Sequence, residues 1–158
     1  MGNILAIIIL IIITFVPAIE LRGSILYGLT ATNISPLIVF TACVLANIAL
    51  GPFAYFVVEK FINFFRQFRK FDEQYQKHIE KTQRKIHKYT EKYGLLGLSI
   101  FIAIPAPGSG SYTGALGAKI LGISFKKYLL ANIIGVVIAG VLVTLIVSSG
   151  GFLFSLFF

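Results

Sequence analysis

The sequence has 158 residues, of which 57% are hydrophobic and 13% are charged. Because the apolar residues also cluster in long runs, this composition excludes an ordinary soluble domain and indicates a protein whose main solvent is lipid. The formal net charge is +8, but ten of the fourteen lysine and arginine residues lie between Lys60 and Lys92, directly after an apolar run. That placement is typical of the positive-inside rule of membrane proteins and argues against nucleic-acid binding.

The sequence lacks the residue patterns on which most enzymes and metalloproteins depend. Cys43 is the single cysteine and lies in an apolar run, so neither a disulfide framework nor a metal-ligand cluster is expected. No Ser/His/Asp, Cys/His or paired-carboxylate arrangement suits catalysis, and we therefore expect neither an enzyme nor a cofactor. Met1 to Ile13 carries no positive charge, which disfavours a cleaved signal peptide.

The first half of the chain contains one interrupted apolar block and one continuous block. Ile4 to Val16 would form a helix of about 20 Å, too short for a hydrocarbon core of about 30 Å. Pro17 removes a main-chain donor and predicts a break, after which apolar residues continue to about Thr32. Pro36 to Val58 is uncharged and long enough to predict one full transmembrane helix.

The polar segment that follows is predicted to form one long amphipathic helix over 59–93. Its apolar residues recur at alternating spacings of three and four, with lysine, arginine, glutamine and glutamate between them. We expect this helix on the cytoplasmic side, where its first turns would contact anionic lipid. Its distal part resembles a coiled-coil seam, which favours a homodimer.

The second half of the chain repeats this organisation with shorter segments. Gly94 to Ile104 is apolar and is followed by a proline- and glycine-rich break over 105–110, after which Ser111 to Lys119 predicts a helix of small residues. Tyr128 to Val147 predicts the second full transmembrane helix.

Similar residues recur in the same order in the two halves. Each half has a proline break, then a glycine, and then the tripeptide Ala-Asn-Ile, which contains Asn47 in the first half and Asn132 in the second. This order predicts two repeats, 1–58 and 94–158, within a single membrane domain, 1–158. The predicted fold is an all-α integral membrane protein with two inverted repeats, each a re-entrant helical hairpin plus a transmembrane helix.

The distribution of lysines favours hairpins that enter and leave the membrane on one side. If all four apolar blocks crossed, Lys119, Lys126 and Lys127 would lie opposite the cytoplasmic helix, against the positive-inside rule. If both broken blocks are re-entrant, every lysine near the membrane is cytoplasmic and the halves have inverted topology, as in many secondary transporters. Main-chain groups freed at the breaks must then meet inside the protein or line a wet cavity, because lipid cannot satisfy them.

Glu20 and Arg22 are the strongest candidates for function. Charges just beyond a helix break in an apolar block are costly unless they are paired or wetted. In the functional interpretation, Glu20 takes up and releases a proton, while Arg22 binds an anionic group or holds Glu20 in its charged form. A strong pair would oppose proton coupling, so the pair would have to open during transport. The structural alternative is an interfacial loop or a buried ion pair that only fixes the hairpin.

The second group of candidates lies at the predicted start of the small-residue helix: Gly108, Ser109, Gly110 and Ser111. Free amide N–H groups there would suit a phosphate or carboxylate, whereas a tight helix-packing element is the structural alternative. No Gly-Lys-Ser/Thr follows, which excludes a nucleotide-binding loop. Asn47 and Asn132 are further candidates that would bond across the core or cap unwound backbone.

Two stretches of the chain resemble the signatures of a known family. Pro17-Ala-Ile-Glu20-Leu-Arg22-Gly23-Ser24 and the stretch from Pro105 to Gly114 resemble those of the prokaryotic small multidrug export proteins, and the likeness covers nearly the whole chain. That family is regarded as a remote relative of the DedA membrane proteins. The resemblance implies paired re-entrant hairpins, an acidic residue in the first, and roles in lipid or polyprenyl-phosphate translocation and drug resistance. The chain departs from the DedA pattern because its second hairpin carries no arginine or acidic residue.

These patterns predict a small secondary transporter in the prokaryotic inner membrane, coupled to protons through Glu20. The amide N–H groups and Arg22 favour an anionic or amphiphilic substrate such as a lipid phosphate, whereas the family label favours export of small drugs. The alternative is a structural or scaffolding membrane protein that docks partners through its long helix. The expected partners are membrane lipid and a small-molecule or lipid substrate, with no nucleic acid.

Overall fold

The computed structural model describes residues 2–68, 76, 92–106 and 108–150. Over these ranges the regular elements are all helices, as the predicted fold class requires. The first half contains α1 (Gly2–Phe15), α2 (Glu20–Ala31) and α3 (Pro36–Arg66). The second half contains α4 (Lys92–Ala103), α5 (Ser111–Leu121) and α6 (Phe125–Ser148). Each half is therefore a pair of short helices followed by a long one.

The helix boundaries lie close to those predicted, with one extension. α3 begins at Pro36 as expected but continues without interruption past Val58 to Arg66, so the first turns of the predicted polar helix belong to α3. The rest of that predicted helix, residues 69–91 apart from Gln76, lies outside the described residues. Its predicted last residues, 92 and 93, belong to α4.

Two of the helices are long and apolar enough to cross a membrane. α3 has 31 residues and α6 has 24, and at 1.5 Å per residue they measure about 46 Å and about 36 Å, against a core of about 30 Å. Large apolar side chains are exposed on their outer faces, for example Leu37 at 72% and Leu145 at 60%. Such faces fit contact with lipid. The other four helices are too short to span alone.

The first break, between α1 and α2, is a tight turn held largely by its own main-chain hydrogen bonds. Pro17 has no N–H group with which to continue α1. The carbonyl of Val16 accepts hydrogen bonds from the N–H groups of Ile19 at 3.3 Å and Glu20 at 3.1 Å. Ala18 and Glu20 adopt left-handed backbone, with φ of 72° and 45°, which is strained for a residue with a Cβ atom.

The second break, between α4 and α5, is longer and more open. Pro105 removes the donor that would bond the Phe101 carbonyl in a continuing helix. A turn follows in which the Ser109 N–H donates to the carbonyl of Ala106 at 3.2 Å. Gly108 takes φ of 84° in this turn, a conformation that glycine adopts at little cost.

The packing of the short helices on the long ones brings the two breaks together. α2 and α5 each contact both α3 and α6, and the two long helices contact each other. Glycines allow close approach at these contacts. A Cβ atom added at Gly135 of α6 would lie 2.8 Å from the carbonyl oxygen of Ser99 in α4, and one added at Gly28 of α2 would overlap Val39 of α3.

The far end of α5 is tied to α3 and α6 by charged and aromatic contacts. Lys119 Nζ lies 3.0 Å from Glu59 Oε1 and 3.8 Å from the centre of the Tyr55 ring. The Tyr55 ring packs on Phe125 and Tyr128, with ring centres 4.9 Å and 5.3 Å apart. These contacts orient α5, whose opposite end lies at the breaks.

Candidate functional site

A cavity of ≈ 220 Å³ lies where the two helix breaks meet. Residues of both breaks and of the first turns of α2 and α5 line it: Pro17, Ala18, Glu20, Arg22, Gly108, Ser109, Gly110, Tyr112 and Thr113. The two charged residues of this wall, Glu20 and Arg22, are 4% and 7% exposed. Both charges are therefore buried and need partners within the protein.

The carboxylate of Glu20 binds the N-terminus of α5. Its Oε2 accepts a hydrogen bond from the Ser111 N–H at 2.9 Å, and its Oε1 accepts one from the Tyr112 N–H at 3.3 Å. These N–H groups are among those that a helix leaves without an internal partner at its start, and the positive end of the helix dipole faces the carboxylate. The amide groups that the sequence predicted to be free are thus occupied by a side chain of the first break.

Gly110 allows the carboxylate to come this close. It is the N-cap of α5, and its own N–H donates to Thr113 Oγ1 at 2.9 Å. A Cβ atom added at Gly110 would overlap the carboxylate, with Cδ of Glu20 only 2.7 Å away. Any larger residue at position 110 must displace either the carboxylate or the start of the helix.

The guanidinium of Arg22 binds the opposite side of the second break, at the end of α4. Nη2 lies within hydrogen-bond distance of the carbonyl oxygens of Ile102 at 3.3 Å and Ile104 at 2.7 Å, and of Ser109 Oγ at 3.1 Å. The Ser109 hydroxyl also lies 2.6 Å from the Ile104 carbonyl. Because carbonyl groups at a helix C-terminus carry the negative end of the dipole, they favour a cation.

Glu20 and Arg22, both in the described part of the chain, bind different helix ends and not each other. The acid binds the start of α5 and the base binds the end of α4. A direct ion pair in which Arg22 holds Glu20 in its charged form is therefore not what the structure contains. Both charges instead satisfy main-chain groups that the second break leaves without helical partners.

A buried polar cluster behind the carboxylate joins α5 to both long helices. Ser111 Oγ donates to Asn47 Oδ1 of α3 at 2.6 Å. The Tyr128 hydroxyl of α6 lies 2.9 Å from the Ser111 carbonyl oxygen and 3.2 Å from that of Gly51 in α3. Tyr128 and Ser111 are fully buried, and Asn47 is nearly so. The residue that binds Glu20 is thus anchored to α3 and α6.

The structure brings most of the predicted site residues together, in the cavity wall or in the cluster behind it: Glu20, Arg22, Gly108, Ser109, Gly110, Ser111 and Asn47. Asn132 is fully buried beside Gly51, and its amide has no partner among the described residues. Sequence reasoning missed Tyr112 and Tyr128. Tyr128 precedes Asn132 by four residues and so shares its helix face, a spacing that could have revealed it.

A single carboxylate is the acidic group in the described part of the cavity wall. Among the described residues that line the cavity, Glu20 is the acid and no second carboxylate or histidine accompanies it. An ionised carboxylate accepts stronger hydrogen bonds than a neutral acid, so one proton would weaken its contacts with Ser111 and Tyr112. The arrangement suits a carboxylate that can be released from a helix end.

Comparison with known protein families shows which family the chain belongs to. A family model described as "Putative small multi-drug export protein" matches residues 20–142. The chain belongs to this family. In this small multidrug export family member, the match begins at Glu20 and includes both charged residues of the cavity wall, the whole second break and most of α6. Family membership and the two long apolar helices identify a membrane protein. No curated protein and no solved structure matches the chain.

Proposed function

We propose that the protein is a small secondary transporter in which Glu20 couples substrate movement to protons. The observation that carries this proposal is a buried carboxylate held by two main-chain N–H groups at a helix start, at the wall of a cavity between two helix breaks. A buried ionisable group at membrane depth is costly and commonly marks an ion or substrate path. Here it is also one of the contacts that hold the two hairpins together, beside those of Arg22.

The proposed topology has two re-entrant hairpins in inverted repeats. α1 and α2 have 14 and 12 residues, about 21 Å and about 18 Å, and α4 and α5 are no longer, so each falls short of a core of about 30 Å. The contacts are also reciprocal, because α2 reaches the long helix of the second half and α5 reaches that of the first. This arrangement supports an inner-membrane protein whose lysine-rich segment 59–93 is cytoplasmic.

The proposed mechanism begins with the ionised carboxylate of Glu20 bound to α5. Uptake of one proton gives the neutral acid, which accepts weaker hydrogen bonds from the N–H groups of Ser111 and Tyr112. Those groups become available, and α5 is less firmly held to the first break. Loss of the proton on the other side restores the original contact. Arg22 stays charged throughout, because a guanidinium keeps its proton, and its hydrogen bonds run to carbonyl groups at the end of α4 and not to the titrating acid.

The substrate we propose is an anionic or amphiphilic molecule of the lipid-phosphate type. The helix start that Glu20 occupies offers N–H donors and a positive dipole end, and Arg22 adds a positive charge to the same cavity wall. Export of small drugs, which the family description suggests, is the other substrate class. We also propose that no enzymatic step is involved.

The experiment compares wild-type protein with Glu20→Gln in proteoliposomes that hold a pH-sensitive dye under an imposed pH gradient. The added probes are ethidium, as a cationic drug, and a short-chain fluorescent phosphatidic acid, as a lipid phosphate. We expect probe-dependent proton flux with phosphatidic acid in the wild type and its loss in Glu20→Gln. Glu59→Gln, which removes a half-exposed carboxylate far from the cavity, is the matched control and should retain flux. Equal flux in wild type and Glu20→Gln would refute proton coupling through Glu20.

A second candidate function is a scaffold whose hairpins only anchor it while the polar segment docks partners or a second copy of the chain. The observation that favours it is that both buried charges have structural partners at helix ends. Deleting residues 71–88 should then abolish the cellular phenotype, whereas Glu20→Gln and Arg22→Ala should not. The transporter proposal expects the opposite pattern.

A further inference from the structure

Asn132 is a buried amide that the site described above does not use. It lies in α6 with 0% exposure, and neither its Nδ2 nor its Oδ1 finds a hydrogen-bond partner among the described residues. A buried polar group without a partner is rare in folded proteins and is costly, more so at membrane depth, where lipid offers no substitute. Because neither the NH2 group nor the carbonyl oxygen of this amide has a partner, the amide needs a neighbour that can both accept and donate hydrogen bonds.

The surroundings of Asn132 are the crossing of the two long helices. A Cβ atom added at Gly51 of α3 would overlap Nδ2 of Asn132, so the amide lies directly against the α3 main chain. Tyr128 precedes Asn132 by one helical turn, and Asn47 precedes Gly51 by one turn, so each pair shares a helix face. Two polar faces therefore meet where α3 and α6 cross, next to Ser111.

At this crossing the Tyr128 hydroxyl faces more acceptors than it has protons. The Tyr128 hydroxyl has one proton, yet it lies within hydrogen-bond distance of two carbonyl oxygens, those of Gly51 and Ser111. Each carbonyl has a second lone pair, and the Tyr128 oxygen can itself accept a hydrogen bond. A water molecule would donate to such acceptors and could also accept from Nδ2 of Asn132. Buried waters in proteins make two to four hydrogen bonds of this kind.

We propose that the α3–α6 crossing binds an internal water molecule, held by the amide of Asn132 with the Tyr128 hydroxyl and the Gly51 carbonyl as neighbours. This hydration site is separate from the cavity between the breaks. Hydrogen bonds join Glu20 to Ser111 and Ser111 to Tyr128. The proposed water extends this series to the contact between the two long helices. The long helices thus meet over a hydrated polar contact. The proposal does not depend on transport activity.

The first test is hydroxyl-radical footprinting of the wild-type protein in nanodiscs by pulsed X-rays in water enriched in oxygen-18. A water bound beside a buried side chain generates radicals there, so Tyr128 should be oxidised with incorporated label although it is 0% exposed. Tyr27, which is 38% exposed, is the internal positive control. We expect labelled oxidation of Tyr128 as well as of Tyr27. No detectable oxidation of Tyr128 while Tyr27 is oxidised would overturn the proposal.

The second test is the melting temperature of Asn132→Leu in detergent. If the amide holds a water, the isosteric apolar residue loses those hydrogen bonds, and the melting temperature should fall by about 3 °C. If the amide is unsatisfied, leucine removes a costly group, and a raised melting temperature contradicts the proposal. Thr144→Val is the matched control, since Thr144 Oγ1 of the same helix is also buried without a partner in the described ranges but lies three turns from the cluster. It should leave the melting temperature unchanged or higher.

Discussion

Both helix breaks need hydrogen-bond partners for the main-chain groups that an interrupted helix leaves free, and the two breaks obtain them in different ways. At the first break the main chain turns tightly and the Val16 carbonyl accepts two hydrogen bonds, which requires left-handed backbone at Ala18 and Glu20. At the second break the main-chain groups on both sides are satisfied by side chains of the first, the carbonyls by Arg22 and the amides by Glu20. The first break supplies the two charged side chains and the second supplies the main-chain groups that they bind, while the Tyr112 hydroxyl of α5 donates in return to the Phe15 carbonyl at the end of α1, at 3.0 Å.

The two hairpins therefore depend on each other to different extents. The first hairpin satisfies its turn largely by its own main-chain hydrogen bonds and receives one from Tyr112, whereas the second hairpin binds charged side chains of the first at the ends of both its helices. Because a buried main-chain group that loses its hydrogen bond costs about 1–3 kcal/mol, separation of the breaks should destabilise the second hairpin more than the first. The following substitutions test that asymmetry.

Removal of the Glu20 carboxylate should have the largest effect. Glu20→Ala leaves the buried N–H groups of Ser111 and Tyr112 without their acceptor and removes two charge-assisted hydrogen bonds. We expect the free energy of unfolding to fall by about 4 kcal/mol. The measurement is equilibrium unfolding in mixed detergent micelles, followed by circular dichroism. Glu59→Ala, at a half-exposed ion pair, should cost about 1 kcal/mol or less. Equal losses in the two variants would mean that the breaks are not coupled.

Filling the space at Gly110 should have the next largest effect. The Cβ atom of Gly110→Ala would overlap the Glu20 carboxylate, and its displacement should cost about 3 kcal/mol of unfolding free energy. Gly97→Ala is the matched control, because a Cβ atom there meets nothing within 4 Å and alanine favours the helix. In a double-mutant cycle, Gly110→Ala should cost much less in the Glu20→Ala background. If the effects of the two substitutions on the unfolding free energy are fully additive, the contact between position 110 and the Glu20 carboxylate is refuted.

Replacement of Arg22 should have a moderate effect. Arg22→Met removes the hydrogen bonds to the carbonyls of Ile102 and Ile104, but it also removes the cost of a buried charge, so we expect a net loss of about 2 kcal/mol. Arg22→Lys keeps the charge and should recover part of this loss. The same unfolding measurement applies. A stability of Arg22→Met equal to that of the wild type would show that the end of α4 needs no cap.

Glycine substitutions in the two breaks should have the smallest effects, and the effects should be opposite in sign. Ala18→Gly relieves left-handed strain at φ of 72° and should raise the unfolding free energy by about 1 kcal/mol. Ala106→Gly in the second break has no such strain to relieve and should lower it by about 0.5 kcal/mol. Thermal denaturation with a well-defined native baseline can distinguish the expected rise in stability from the expected fall. If both substitutions change the unfolding free energy in the same direction, the two breaks do not differ in backbone strain.

The positions of the helices and breaks could be predicted because their causes are local. Pro17 and Pro105 lack the N–H group that a helix needs, and apolar runs of limited length predicted short helices beside two long ones. The extension of α3 to Arg66 was not predicted, because a change from apolar to polar composition does not itself end a helix. Glu20 and Arg22 could be selected as candidates because a charge inside an apolar block is costly in any topology.

Local sequence patterns were thus enough to identify a helical membrane protein with two proline breaks and two charges of opposite sign in an apolar block. What those charges bind could be seen only in the folded structure. Glu20 meets the start of α5 across 91 residues of sequence, and Arg22 meets the end of α4 across 82. A hydrogen bond over such a separation depends on how whole helices pack, and packing is set by the summed contacts of many small and apolar residues, which no local pattern contains.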